Sequence, residues 1–243
     1  MARRKSCAGL SGLGSRYWGE VIEVLRSIIP VYDRVNRVIS FGKDEEYRLR
    51  GIRGRVMPHN IVLDAGSGYG NMSRVALAEA GDDVQIVMYD PIPEMLANVK
   101  NYFPEGNASL LPSSGIFEFM PFRDGTFDAV MCGYSLRDAI QLKQAIAEMH
   151  RVLKAGGRLI IVDLGKPDGS LAKTMVSFYL KYFLGVFAYL AAGRAGLKFR
   201  MLYGTYLRWP RNSELDAMLK EKFSRVQFDK RMMGGAVIIA AYK

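Results

Sequence analysis

The run Leu63-Asp64-Ala65-Gly66-Ser67-Gly68-Tyr69-Gly70 sets an acidic residue at the end of an apolar stretch and follows it with three glycines at alternate positions. Main chain this bare lets a ligand lie against peptide groups. The carboxylate beside it decides which charge that ligand should carry. A phosphate cradle of the P-loop type needs GxxxxGK followed by Ser or Thr, and the loop has no lysine. The dinucleotide fingerprint GxGxxG is met only imperfectly, because Asn71 stands where its third glycine belongs. A pyrophosphate would also be repelled by Asp64, whereas a cation would be attracted.

S-adenosylmethionine meets both conditions, since it carries an ammonium and a sulfonium and no phosphate. On this reading Asp64 complements the amino-acid end, while Gly66, Ser67, Gly68 and Gly70 give the cofactor close access to main chain. Asp90 ends the next apolar run, about 20 residues past the last glycine, where an acidic side chain accepts hydrogen bonds from a ribose diol; Pro91 follows it into the same contact. The adenine should lie near SSGIFEFMPF (113–122), which offers Ile116 and Phe117, with Glu118 next. Phe117 could stack on the ring, or both could be ordinary core residues. The blander alternative for the glycine run is a tight strand-to-helix turn with a capping Asp.

The surrounding pattern supplies elements to position these groups. Short apolar runs NIVLD (60–64), VQIVMYD (84–90), TFDAVMCG (126–133) and RLIIVDLG (158–165) predict strands, and a third strand is placed before residue 113. Between them, NMSRVALAEAG (71–81), PIPEMLANVKNYF (91–103) and DAIQLKQAIAEMHRVLKAGG (138–157) predict helices, the last closed by its two glycines. Upstream, 19–29 and 31–50 have helical spacing with breaks at Pro30 and Gly42. Downstream, NSELDAMLKEKF (212–223) predicts a helix capped by Asn or Ser, and SRVQFDKR (224–231) and AVIIAAY (236–242) a closing hairpin. The expected class is α/β: a Rossmann-like, doubly wound, mostly parallel seven-stranded sheet with an antiparallel C-terminal strand. We divide the chain into an N-terminal arm and helical lid segment (1–50) and one catalytic domain (51–243) carrying an apolar helical insertion over about 170–207.

Composition narrows the classes further. The chain has 243 residues, 49% of them hydrophobic, and a net charge of +10, which favours an anionic partner surface such as acidic lipid or nucleic acid. The basic residues are scattered and form no aromatic-basic platform, so nucleic acid is disfavoured. Cys7 and Cys132 lie far apart with no Cys/His cluster, so neither a disulfide framework nor a metal site is expected and a reduced, cytoplasmic setting fits. The basic N-terminus reads as a loose arm. His59 precedes the first strand at the wrong end of the sheet, and His150 sits among apolar helix neighbours; neither is a catalytic candidate.

PFRDGTFDAVMCGYSLRD (121–138), RVLKAGGRLIIVDLGKP (151–167), YDRVNRVISFG (32–42) and the tail from Tyr203 to Lys243 together resemble the ubiquinone/menaquinone biosynthesis C-methyltransferases, from Tyr32 onward. The resemblance implies the class I methyltransferase fold, S-adenosylmethionine as methyl donor and a lipophilic, quinol-like acceptor. It also implies that Ser73 is a cofactor-contacting hydroxyl, Asp90 the ribose acid, Ile116 and Phe117 the counterparts of an Asn-Ala pair at the adenine, and Gly133 a cofactor-lining position. Leu136-Arg137 matches the family's LRN except that Asp138 replaces Asn. Ala155 replaces a Pro, and Asp163 and Gly165 replace a Glu and a Ser.

Carbon methylation of a quinol ring needs an in-line approach and stabilisation of a developing phenolate. Arg137, just past a strand's C-terminal end, is the candidate cation. Tyr32, in the segment expected to fold over the site, is the candidate for orienting the acceptor or relaying a proton. The apolar run 174–192 approaches spanning length, around 20 residues, but Lys181 at its middle would cost about 2.5–3.5 kcal/mol on insertion. We rank it first as the lid of a greasy pocket and second as an interfacial helix with Lys173, Lys181, Arg194, Lys198 and Arg200 near anionic headgroups. A core or dimer-interface helix is the plainer reading, which leaves a homodimer open. A methyltransferase for another small or lipid-like acceptor, and a cofactor-binding protein without chemistry, remain the alternatives.

Overall fold

Runs of valine, isoleucine and leucine without polar alternation become strands covered on both faces. A computed structural model of the chain describes residues 12–97, 99, 103 and 110–243. Five parallel strands, β1 (Ile61–Ala65), β2 (Gln85–Asp90), β3 (Leu110–Ser114), β4 (Phe127–Gly133) and β5 (Leu153–Leu164), join β6 (Arg225–Arg231) and β7 (Ala236–Tyr242) in the order β3-β2-β1-β4-β5-β7-β6. β7 runs antiparallel to both its neighbours, as the tail pattern predicts. β3, with Pro112 in a mostly exposed run, occupies an edge, where a missing N–H does least harm.

The helices are α1 (Ser15–Ile28), α2 (Tyr32–Ile39), α3 (Asp44–Ile52), α4 (Asn71–Ala80), α5 (Pro93–Ala97), α6 (Leu142–Val152), α7 (Ser170–Phe178), α8 (Leu184–Ala192), α9 (Met201–Arg208) and α10 (Asn212–Lys220). Successive strand residues point to opposite faces. Leu63, Val130, Leu159, Ile161 and Val237 therefore pack under α6 and α10, while Val62, Met131, Ile160, Val162 and Ile238 pack under α3 and α4. His150 rests edge-on against Phe223, with centroids 5.1 Å apart, in a structural position.

Three expectations shift. The helix predicted over 138–157 spans only Leu142–Val152. At its start the Ala139 and Ile140 carbonyls accept from Leu13 and Gly14 N–H, at 2.9 and 3.0 Å, instead of from a helical turn. At its end Leu153 is already extended and pairs with Phe127, and the two glycines make a bulge in β5 that hydrogen-bonds Lys243. In α10 neither Asn212 nor Ser213 caps through its side chain. Asn212 accepts from Lys166 N–H, and the helix's first donors go to Glu214 and Asp168. The helix predicted over 91–103 is seen as Pro93–Ala97; residues 98 and 100–102, like the arm 1–11 with Cys7, lie outside the described residues.

A third apolar cluster lies off the sheet. Ile28 and Val35 from the N-terminal helices pack against Leu180, Leu184, Ala188, Phe199 and Tyr206 of the insertion. α7 and α8 are joined by a π-helical turn, Tyr179–Phe183, of the kind that recurs at functional sites. By length and composition the stretch from Ser170 to Arg208 could cross a membrane, yet it turns at Gly193 (φ 60°) and folds its Gly193–Arg200 segment back onto α8. That return depends on Gly196, whose hydrogen would be replaced by a Cβ lying inside the Ala188 carbonyl. Gly196→Ala is expected to lower stability by about 1–3 kcal/mol, read as a reduced urea midpoint at unchanged slope; an unaltered midpoint would show that this contact is not tight.

Candidate active site

The strand order reverses between β1 and β4, and this leaves a crevice above their carboxyl ends. The glycine turn enters there. Gly66 has φ 69°, and a Cβ on it would collide with Ser135 Oγ, so both conformation and space demand glycine. The crevice opens into a cleft of about 810 Å³, counted to its mouth, lined by Asp64, Gly66, Ser67, Gly68, Asp90, Pro91, Ile116, Phe117, Gly133 and Tyr32. Ten residues named from sequence thus meet on one wall.

Asp64 is fully buried at the end of β1. Its Oδ2 accepts from Ser73 N–H at 3.0 Å and from Ser73 Oγ at 2.6 Å, while Oδ1 has no hydrogen-bond partner among the described residues. Burial pushes its pKa up to about 6 against those hydrogen bonds. Asp90 Oδ2 accepts from Gly68 N–H at 2.9 Å and Oδ1 from Ile92 N–H at 2.8 Å, which leaves one lone pair on each oxygen for hydroxyl donors. Burial raises this carboxyl to about 6 as well.

Three named residues lie off the cleft wall. Ser73 is buried beneath Asp64 and fixes its carboxylate. Gly70 (φ 89°) begins α4, where a Cβ would meet Met88 Cε at 2.7 Å, so it is a packing glycine. Arg137 is buried behind Asp138; its Nη1 meets Asp163 Oδ1 at 2.6 Å and its Nε lies 3.9 Å from Asp138 Oδ1. Against the burial that would depress it, the Asp163 and Asp138 carboxylates hold this guanidinium above its usual range.

Arg137 instead lines a second pocket, of about 460 Å³ when the open space at its mouth is counted. Its apolar wall is Ile39, Leu164, Tyr179, Leu180, Leu184 and Leu202. Arg48 and Tyr134 line both spaces, with the Arg48 guanidinium 4.9 Å from the Tyr134 ring centroid. The N-terminal segment closes over the cleft. Tyr69 donates to Ile29 O at 2.5 Å, Asn71 Nδ2 donates to Asp33 Oδ1 at 2.8 Å, and Tyr32 packs edge-on to Tyr69 with centroids 6.4 Å apart.

Sequence reasoning passed over Arg48, Tyr134, Asn71 and Asp138 as site residues. Asn71 registers in the sequence only as a missing glycine, and Arg48 as one charge among several in DEEYRLRGI. Of the buried polar atoms without a hydrogen-bond partner among the described residues, Asp64 Oδ1, Ser67 Oγ and Arg48 Nε belong to residues that line the cleft, and they suit a ligand bearing both charge signs.

Two outcomes test this cleft. Asp90→Asn keeps the shape but loses the charge and is expected to weaken S-adenosylhomocysteine binding about tenfold or more, measured by calorimetry; equal affinity would remove the ribose contact. Affinity for S-adenosylmethionine is expected to rise with pH through about 6 and level off above, because protonating Asp64 removes the negative charge the ammonium needs and protonating Asp90 weakens it as an acceptor for the ribose hydroxyls. In the ligand-free fold the sign is reversed. The native state holds protons that the unfolded chain releases, so these acids' contribution to stability falls as pH rises from about 4 to about 6. A flat affinity profile from pH 5 to 7.5 would contradict both contacts.

Comparison with known proteins agrees with this geometry. The pattern of the ubiE/COQ5 methyltransferase family matches residues 13–243. A demethylmenaquinone methyltransferase of Deinococcus radiodurans is 31% identical over 210 residues, 86% of each chain. A ubiquinone/menaquinone biosynthesis C-methyltransferase UbiE of Geotalea daltonii is 29% identical over 234 residues, covering 93% of this chain and 97% of that one. Among solved structures, a SAM-dependent methyltransferase from Aquifex aeolicus superposes with a TM-score of 0.57 at 16% identity, covering 82% of this chain and 89% of that one, which shows the shared fold. With glycine turn, strand-end acids and apolar neighbour cavity in place, the chain belongs to the ubiE/COQ5 methyltransferase family and is an S-adenosylmethionine-dependent methyltransferase.

Proposed function

We propose that this enzyme methylates a ring carbon of an isoprenoid quinol precursor, a demethylmenaquinol-like molecule, in the cytoplasm at an anionic membrane surface. The observation that carries the reading is the apolar pocket that lies beside the cofactor cleft and shares Arg48 and Tyr134 with it. A polar or nucleic-acid acceptor would meet leucines there; a hydrophobic ring or tail meets complementary surface. The names of the Deinococcus and Geotalea relatives support the same substrate class.

When bound, the cofactor supplies an electrophilic methyl carbon. The chain's own residues must hold the acceptor ring in line and manage its charge. Tyr32 lines the cleft, and burial raises its hydroxyl pKa with Arg137 opposing, so it stays protonated and orients the ring by donating a hydrogen bond. Arg137 lines the acceptor cavity with its buried Nε lacking a hydrogen-bond partner among the described residues, a donor for the oxygen that gains negative charge. Its Asp163 partner keeps it fixed in that pose.

Access from lipid falls to the insertion. Phe178, Tyr182, Phe183, Val186, Tyr189 and Leu190 are all exposed along α7, the π turn and α8. Lys173, Lys181, Arg194, Lys198 and Arg200 are spaced along or just beyond the same run, where headgroups would meet them. Phe41 leans on Tyr179 and Phe187, at 5.7 and 6.3 Å, and so ties this face to the end of α2.

Label from a methyl-labelled donor is expected in detergent-dispersed demethylmenaquinol, and cells without the protein should accumulate a quinone short of one methyl; label in RNA alone overturns the proposal. Arg137→Lys keeps the charge but loses the fork. It should lower kcat about tenfold or more with S-adenosylhomocysteine affinity unchanged; full turnover removes its role. Phe178→Ser combined with Leu190→Ser should cut binding to anionic vesicles about tenfold or more, and unchanged partitioning would place the lipid contact elsewhere.

A further inference from the structure

A third cleft, of about 970 Å³ counted to its mouth, shares no lining residue with the cofactor and acceptor spaces. Lys166, Lys173, Lys181 and Arg211 line it, with no carboxylate among the described residues on its wall. Acids close to them in the chain are already engaged. Glu214 Oε2 accepts from Arg211 N–H at 2.7 Å, and Asp168 accepts from Ser213 N–H at 2.9 Å and pairs with Lys230 at 2.9 Å. Lys166 is held in place: its Nζ donates to Leu207 O at 3.0 Å and to Trp209 O at 2.7 Å, where α9 ends. An ammonium has three protons, so one remains. Burial lowers the Lys166 pKa; Glu214 opposes this, and the charges of Lys173 and Arg211 add to it. An anion among these cations would relieve their mutual repulsion.

Hydroxyls complete the wall. Lys173, Ser177 and Lys181 recur four residues apart and line the same cleft. Ser177 Oγ donates to Tyr203 Oη at 3.3 Å, which leaves the Tyr203 proton for an outside acceptor. Tyr206 also lines the cleft; it is 1% exposed, and its Oη is buried with no hydrogen-bond partner among the described residues. Cations without anions and hydroxyl donors without acceptors suit an oxyanion. A phosphodiester offers two free oxygens and one charge, whereas a phosphomonoester offers three and a charge of about −1.5 to −2, the better match to four cations. Phe178, Tyr182 and Leu207 line this cleft too, and all three are exposed. A phosphate free in water gains nothing from them; one carried on an acyl chain does.

We propose that this cleft takes the phosphomonoester head group of a membrane lipid, with Lys166, Lys173, Lys181 and Arg211 countering its charge, Tyr203 donating to one of its oxygens, and Phe178, Tyr182 and Leu207 entering the acyl region beside it. The proposal rests on the membrane-surface reading and deepens it. Charges scattered along a helix respond to surface potential alone, whereas a built cleft distinguishes one head group from another. The acceptor cavity stays next to this contact, because Tyr179 and Leu180 line that cavity while Ser177 and Lys181 line this one.

Sedimentation of the full chain with phosphatidylcholine vesicles tests the site. The vesicles carry either phosphatidic acid or phosphatidylglycerol, adjusted to equal zeta potential. Wild type should bind the phosphatidic acid vesicles about fivefold or more tightly. Lys173→Gln with Arg211→Gln should bring that ratio within about twofold, and Tyr203→Phe, which changes no charge, should lower it. Arg194→Gln with Lys198→Gln removes the same charge outside the cleft, so it should weaken both kinds of binding and keep the ratio. S-adenosylhomocysteine affinity checks that each variant is folded. The wild-type comparison needs no variant: equal binding at equal potential overturns the site and leaves the membrane contact standing. A ratio that survives in the Lys173/Arg211 pair, or that falls as far in the Arg194/Lys198 pair, also overturns it. Glycerol 3-phosphate should compete only at about millimolar concentration; competition at micromolar concentration would assign the cleft to a soluble phosphate instead. Binding to neither vesicle removes the membrane reading and this site with it.

Discussion

A carboxylate buried at the end of the first strand is the constraint on which the site depends. Water is excluded from Asp64, so each of its oxygens needs a protein or ligand donor. One oxygen takes two donors from Ser73 and thereby locks the start of α4 to β1. That lock forces the intervening turn to be tight, and a tight turn there is open to glycine alone. The other oxygen is left facing the cleft. The residue that closes the turn therefore also sets the sign of the ligand, and raised pKa values at Asp64 and Asp90 show the free fold holding negative charge at some cost until a cation arrives.

The acceptor side is built differently. β5 contributes Leu164 and the turns after β4 contribute Tyr134 and Arg137; the rest of the second cavity comes from α2 and its end, α3 and the insertion. α1, α2 and the insertion meet in the apolar cluster of Ile28, Val35, Leu184 and Phe199, which no single stretch could bury alone. Tyr69 to Ile29 and Asn71 to Asp33 then fasten the N-terminal helices to the glycine turn. Donor and acceptor spaces are thus held in register by the lid's attachment to the cofactor loop, and Arg48 with Tyr134 forms the wall between them.

Much of the fold was legible because it is local. The strands, with their apolar runs, and the glycine at the end of α4 follow from short-range sterics and periodicity. Helix ends were less so. The α6 boundary moved because the carbonyls of Ala139 and Ile140 are claimed by residues 13 and 14, a competition invisible within the helix's own sequence. Its terminal glycines, read as a stop, lie in the bulge between the Phe127–Leu153 and Ala129–Arg158 pairs of β4 and β5, where they hydrogen-bond Lys243.

The amino-acid order by itself determined the cofactor class: glycines after an acid, and a second acid after the next strand, need only main-chain conformation and Coulomb's law to be read. The fold decided which of those residues face the ligand. Ser73 and Gly70 turned inward to support the turn, since helix geometry places them behind Asp64 and against Met88. Arg137 and Arg48 are both arginines near charged neighbours in the sequence. Their difference, Arg137 paired with Asp163 from a distant strand and off the cofactor cleft, Arg48 paired with Asp44 on its own helix and lining the cleft, arises only when strands and helices far apart in the chain are packed and water is removed between them.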